Sequence, residues 1–72
     1  MRGSGWVIEL DDGTCITKGD AFHTDATLRK YGEEPNGLRA FACSDDGALV
    51  GSVFVPWRRV RTVQTWGTRT GP

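Results

Sequence analysis

The chain has 72 residues, 38% hydrophobic and 25% charged, with nine Lys+Arg balanced by nine Asp+Glu. This composition fits one small globular domain and excludes a multidomain enzyme, a coiled coil, a disordered polymer and a strongly basic nucleic-acid binder. No apolar run approaches the roughly 18 residues that span a bilayer as a helix, and no apolar centre of a secretion signal is present, so a non-membrane, cytoplasmic or viral-particle setting is expected.

Met1–Gly5 (MRGSG) has no apolar pattern and is expected to be a flexible start, natural or vector-derived, ahead of a single domain over 6–66. Trp6, Ile8 and Leu10 alternate with Val7 and Glu9, which predicts a half-buried strand. Asp11-Asp12-Gly13 is a hairpin turn, because Asp-Gly tolerates the positive φ that a tight reversal needs, and Thr14–Lys18 returns as the second strand. From Gly19 to Gly37 the alternation is lost. Thr24 or Asp25 suits the N-cap of a short helix through Tyr31, so one long loop holding a short helix is expected, closed by Pro35-Asn36-Gly37.

Leu38–Ser44 reads as a third strand, Asp45-Asp46-Gly47 repeats the first turn, and Ala48–Val55 reads as a fourth strand. Gly51 inside it predicts a bulge or bend. Pro56 has no N–H for a sheet ladder, so the strand ends or kinks there; a single 3₁₀ turn then leads into a fifth strand, Val60–Trp66. Residues 67–72 read as a polar tail. The expected architecture is all-β: a five-stranded SH3-like or Sm-like barrel with one long loop.

A chain this short builds a thin core, and small domains often supplement it with a metal, a disulfide or a partner subunit. Cys15 and Cys43 lie in predicted strands and are expected as reduced, buried apolar residues, a single disulfide being the alternative. No C-x-x-C or H-x-x-H spacing is present, so neither a metal nor a cofactor is expected. Three Trp, three Phe and one Tyr are a large aromatic load. Some of these rings are expected at a surface, with oligomerisation as the supplement.

Gly51–Val63 (GSVFVPWRRVRTV) resembles the closing strands of SH3-like and Sm-like small barrels, and is similar in particular to the tail of the RNA cyclic-phosphate end-recognition domain. That resemblance implies Trp57, Arg58, Arg59 and Arg61 as the matching positions and an RNA end as the ligand. It covers 13 of the 72 residues. The His that usually follows the aromatic is Arg58 here, and that family's helical N-terminal segment has no counterpart.

The zero net charge is a cancellation. Residues 1–36 carry seven acidic and four basic side chains, and residues 37–72 carry two acidic and five basic. Arg58, Arg59 and Arg61 beside Trp57 suit phosphate and base stacking, but an arginine row also guards an edge strand or pairs with the acidic half of its own chain. Asp20, Asp25, Glu33 and Glu34 form the expected acidic loop face, which would meet the arginines of another copy head to tail. The expected contact surface centres on Trp57, Arg58, Arg59 and Arg61, with Trp66 and the acidic loop as a second face.

Catalytic signals are sparse. His23, expected in a loop, is the one side chain with an ordinary pKa near neutrality, and its nearest carboxylate in sequence is Asp25. A Cys–His pair through Cys15 or Cys43 is disfavoured by their predicted burial. The Asp11-Asp12 and Asp45-Asp46 pairs both precede Gly and are read as turn chemistry. No phosphate-binding glycine loop is present. The expected function is a non-enzymatic docking or self-assembly module; the alternative is weak nucleic-acid binding through Trp57 and the arginines.

Overall fold

In the computed structural model, which describes residues 4–67, Trp6, Ile8 and Leu10 point inward from β1 (Gly5–Leu10) as their alternation requires. The chain continues as β2 (Cys15–Thr17), β3 (Ala21–His23), β4 (Ala26–Glu34), β5 (Gly37–Ser44) and β6 (Leu49–Pro56). A 3₁₀ turn (Trp57–Arg59) then leads into β7 (Val60–Trp66). All pairings are antiparallel. One sheet has the order β2-β1-β7 and the other β3-β4-β5-β6. The expected starting and closing tails fall largely on residues 1–3 and 68–72, outside the described residues.

The two Asp-Asp-Gly segments adopt the same turn. Gly13 N–H donates to Leu10 O at 3.0 Å and Gly47 N–H to Ser44 O at 2.9 Å, with φ of +90° and +91° at the two glycines. In each, the second aspartate accepts the N–H two residues on: Asp12 from Thr14 at 3.0 Å, Asp46 from Ala48 at 3.2 Å. This is the type I turn followed by a left-handed residue that short hairpins favour.

The expected long loop with a short helix is replaced by β3 and β4, so the described residues hold seven strands and no α-helix. The reason is a bulge. Leu28 lies opposite Ala42 but Lys30 lies opposite Phe41, which leaves Arg29 as an extra residue. Buried Ala26 and Leu28 keep period two, and after Arg29 the core-facing position passes to Tyr31. The apolar spacing therefore matches neither a regular strand nor a helix. Thr24 and Asp25 form the β3–β4 turn rather than a helix cap. Eight register pairs with β5 outweigh weak local helix propensity.

The bulge also serves the packing. Arg29 O accepts the Trp6 indole N–H at 3.3 Å, and the Trp6 ring meets Tyr31 edge-on at 5.1 Å, so β1 is tied to the irregular point of β4. The core is Trp6, Ile8, Leu10, Leu28, Leu38, Ala40, Ala42 and Val55, with Ile16, Phe22, Val53, Val60 and Val63 around it. The bulge expected at Gly51 is present: Ala42 faces Gly51 and Cys43 faces Leu49, leaving Val50 extra. A Cβ at Gly51 would lie 2.7 Å from the Phe22 ring, so the missing side chain admits Phe22 from β3.

Burial of the cysteines is corrected. Both are free thiols, but Cys15 is exposed and Cys43 only half-buried. On β2 it is Ile16, opposite Ile8, that packs on the core; Cys15 sits one residue out of phase, opposite Glu9.

Candidate interaction surface

Pro56 leaves β6 at φ −66°, and the next three residues form the 3₁₀ turn, which presents Trp57, Arg58 and Arg59 together at the surface. Trp57 is 43% exposed, yet it is fixed: its indole N–H donates to Pro35 O at 2.9 Å and its backbone N–H to Asn36 O at 3.2 Å. One edge of the ring is anchored to the β4–β5 turn, and the remainder is available for contact.

The three arginines differ. Arg59 reaches Asp11 and Asp12, each at 3.3 Å, while its carbonyl accepts the Asp11 N–H at 2.8 Å. Arg61, the extra residue of a bulge in β7, donates to Asp11 O at 3.2 Å and lies 3.9 Å from Glu9 Oε2. Both are neutralised by the acidic half of their own chain. Arg58 is exposed and makes no hydrogen bond or ion pair among the described residues. Asp12 is held below the ordinary carboxylate range, chiefly by the backbone and side-chain hydrogen bonds of Thr14, with Arg59 adding to the effect.

The four residues of the expected acidic face are not brought together. Asp20 turns inward at the β2–β3 corner and accepts the Thr17 N–H at 2.9 Å. Asp25 lies in the β3–β4 turn and Glu33 near the far end of β4, roughly 25 Å away at about 3.3 Å per residue. Glu34 is bound to Arg39 at 2.6 Å, and this contact lowers the Glu34 pKa and raises that of Arg39. Trp66 ends β7 opposite Gly5, where the ring covers the glycine and its other side is exposed. It stands on a different sheet from β6.

Residues missed by the sequence reading lie on β5 and β6. Leu49, Val50 and Phe54 are exposed at 64%, 47% and 38%. Phe54 faces Arg39 across the strands, with the guanidinium carbon 5.0 Å from the ring centroid, and Arg39 also donates to the Ser52 hydroxyl at 3.2 Å. Leu49, Ser52 and Phe54 therefore share the outer face of this sheet with Phe41, Cys43 and Arg39. Ser52 and Phe54 reach this face by plain alternation with Val53 and Val55, and the bulge at Val50, by reversing the phase, brings Leu49 to it as well.

His23 lies on β3, not in a loop, and borders a shallow recess with Thr24, Asp25, Ala26, Ser44 and Val50; its ring packs edge-on against Phe22 at 4.5 Å. Asp46 accepts the Ser44 hydroxyl, and that contact with the Ala48 N–H holds the Asp46 carboxyl below its ordinary range. Among the described residues no three His, Cys, Asp or Glu side chains are grouped to hold a metal ion, and no helix is long and apolar enough to cross a membrane. No protein-family model, curated protein or solved structure matches this chain.

Proposed function

We propose that this chain is a non-enzymatic interaction module of the SH3-like or Sm-like barrel type that works by protein docking or self-assembly. One observation carries the reading: nine buried apolar residues, the eight of the core and Ala26, coexist with five large exposed ones, Leu49, Val50, Phe54, Trp57 and Trp66. Four of the five lie in β6 and the turn after it. Exposed apolar side chains concentrated on one element mark a contact surface. The 3₁₀ turn between β6 and β7 supports the barrel kinship, since that connection is the segment that resembles small-barrel closures.

The second reading, nucleic-acid binding, is favoured by exposed Trp57 beside Arg58, which is unpaired among the described residues. It is weakened by the engagement of Arg59 and Arg61 with Asp11, Asp12 and Glu9. One arginine releases few counterions, so any such affinity is low and salt-sensitive. Fluorescence polarisation with labelled single-stranded RNA and DNA over a salt series separates the two. No binding at micromolar concentrations fits docking; micromolar binding that falls steeply with salt and is lost in Arg58→Ala overturns it.

A further inference from the structure

The four strands that border the two sheets are β2, β7, β3 and β6. β2 and β3 have three residues each, and β7 carries Arg61 at a bulge. Shortness, charge and bulges are the usual protections of a sheet edge. β6 has eight residues, and from Gly47 to Trp57 the sequence holds no charged side chain. A bulge at Val50 and the missing N–H of Pro56 limit the regular part of this edge to Gly51–Val55, and that uncharged stretch is a template for another strand.

The direction of its backbone groups is fixed from both ends. Trp57 N–H donates to Asn36 O, one step beyond the pair Gly37–Pro56, and Ser44 N–H donates to Ala48 O beyond the bulge. Hydrogen-bonded and non-hydrogen-bonded pairs alternate in an antiparallel ladder. Val55, Val53 and Gly51 therefore bond to β5, whereas Phe54 and Ser52 direct their N–H and C=O groups to the open edge. Val50, at the bulge, and Pro56, without an N–H, bound this short ladder equally on either side of Val53.

We propose that a second copy of this chain pairs antiparallel along β6, with the two-fold axis at Val53. Ser52 then exchanges hydrogen bonds with the partner's Phe54, and Phe54 with the partner's Ser52. The occupant is indicated by charge. The turn carrying Asp45 and Asp46 lies beyond the Val50 end of this ladder and Arg58 beyond its Pro56 end. Antiparallel pairing therefore brings the acidic turn of each copy to the same end of the shared ladder as the partner's Arg58, the arginine of the 3₁₀ turn that has no partner among the described residues of its own chain. Asp45 and Asp46, for their part, form no ion pair among the described residues, and the nearby Arg29 guanidinium donates to the Ser44 carbonyl at 3.4 Å rather than to either carboxylate. Two-fold symmetry makes the contact twice. This specifies the self-assembly form of the docking reading and rests on it.

Sedimentation of the full chain in low salt, up to roughly 200 µM so as to detect weak association, tests the pairing. A dimer is expected. Ser52→Pro removes an edge N–H without touching the β5 ladder and should weaken the dimer by roughly tenfold or more, with an unchanged circular dichroism spectrum. Arg58→Glu, a surface change that leaves the backbone intact, should weaken it as well, and Asp45→Lys with Arg58→Glu should restore it. A monomeric wild-type chain overturns the pairing, as does a dimer indifferent to Arg58→Glu. A monomer that also binds no oligonucleotide leaves docking to a foreign partner standing; oligonucleotide binding lost in Arg58→Ala overturns the docking reading whatever the oligomeric state.

Discussion

Arg59 Nε lies 3.3 Å from Asp11 Oδ1, so the residue that ends the 3₁₀ turn clamps the first hairpin turn, 48 positions away in sequence. The clamp is made twice over, because the Asp11 N–H also donates to Arg59 O. Only the backbone half is insensitive to side-chain identity. Exposed ion pairs contribute little and are screened by salt. Arg59→Ala should therefore lower the thermal midpoint by no more than a few degrees, and by less at high salt. A loss as large as that of a core truncation would show that the side chain, not the backbone bond, holds the turn.

Acid sensitivity follows from three carboxylates. Asp12, Asp46 and Glu34 all have pKa values lowered from 3.8, 3.8 and 4.5 by hydrogen bonds to Thr14, Ser44 and Arg39 respectively. Between the unfolded and folded values the unfolded chain binds more protons, so stability rises with pH in that window. The contribution is complete above the unfolded values and is lost as pH falls through the folded ones. Thermal midpoints should be level, as far as these groups decide, above about pH 5.5 and fall below about pH 4.5. Asp12→Asn and Asp46→Asn should each flatten that fall; a fall unchanged in the double variant would assign it to other groups.

The legible parts of this fold were those in which one local rule acts alone. Trp6, Ile8 and Leu10 alternate without interruption, each Asp-Asp-Gly segment is complete within a few residues, and Pro56 breaks the ladder by its own chemistry. The strand β4 was hidden because its extra residue, Arg29, is defined only by the partner strand: nothing between Ala26 and Tyr31 marks where the register slips. Site residues divide in the same way. Trp57 and Arg58 follow Pro56 directly onto the surface, whereas the neutralisation of Arg59 and Arg61 depends on pairing β1 with β7. The exposure of Leu49 likewise follows from the phase change at Val50.

Two glycines that accept close neighbours should respond differently to alanine. A Cβ at Gly51 would meet the Phe22 ring at 2.7 Å, and that ring is only partly buried and can turn aside. At Gly37 it would meet the Val55 carbonyl oxygen and lie 2.8 Å from Pro56 Cα, which are backbone atoms held in the β5–β6 ladder. Gly37→Ala should cost about 3 kcal/mol and Gly51→Ala less than about 1 kcal/mol, by the usual cost of overpacking. Urea denaturation followed by circular dichroism gives both values; equal costs would mean that the Phe22 side of the sheet is as rigid as the β5–β6 ladder.

The indole N–H groups of Trp6 and Trp57 both donate to backbone carbonyls, of Arg29 at 3.3 Å and of Pro35 at 2.9 Å, but in different surroundings. Trp6 is 6% exposed and Trp57 43%. Replacing either with Phe removes the donor and keeps an aromatic ring. At Trp57 water can replace the lost donor to Pro35 O, so the net cost is at most about 1 kcal/mol despite the shorter bond. At Trp6 the Arg29 carbonyl, freed by the bulge, loses a donor that water replaces poorly, and the smaller ring leaves space in the core beside Tyr31. Trp6→Phe should therefore cost about 2–3 kcal/mol, a large share of the stability of so small a domain. Urea denaturation followed by far-ultraviolet circular dichroism, which does not rely on the altered tryptophan, ranks the two. A larger loss in Trp57→Phe would show that the β4–β5 turn, rather than the β1–β4 contact, is the point at which the fold is held.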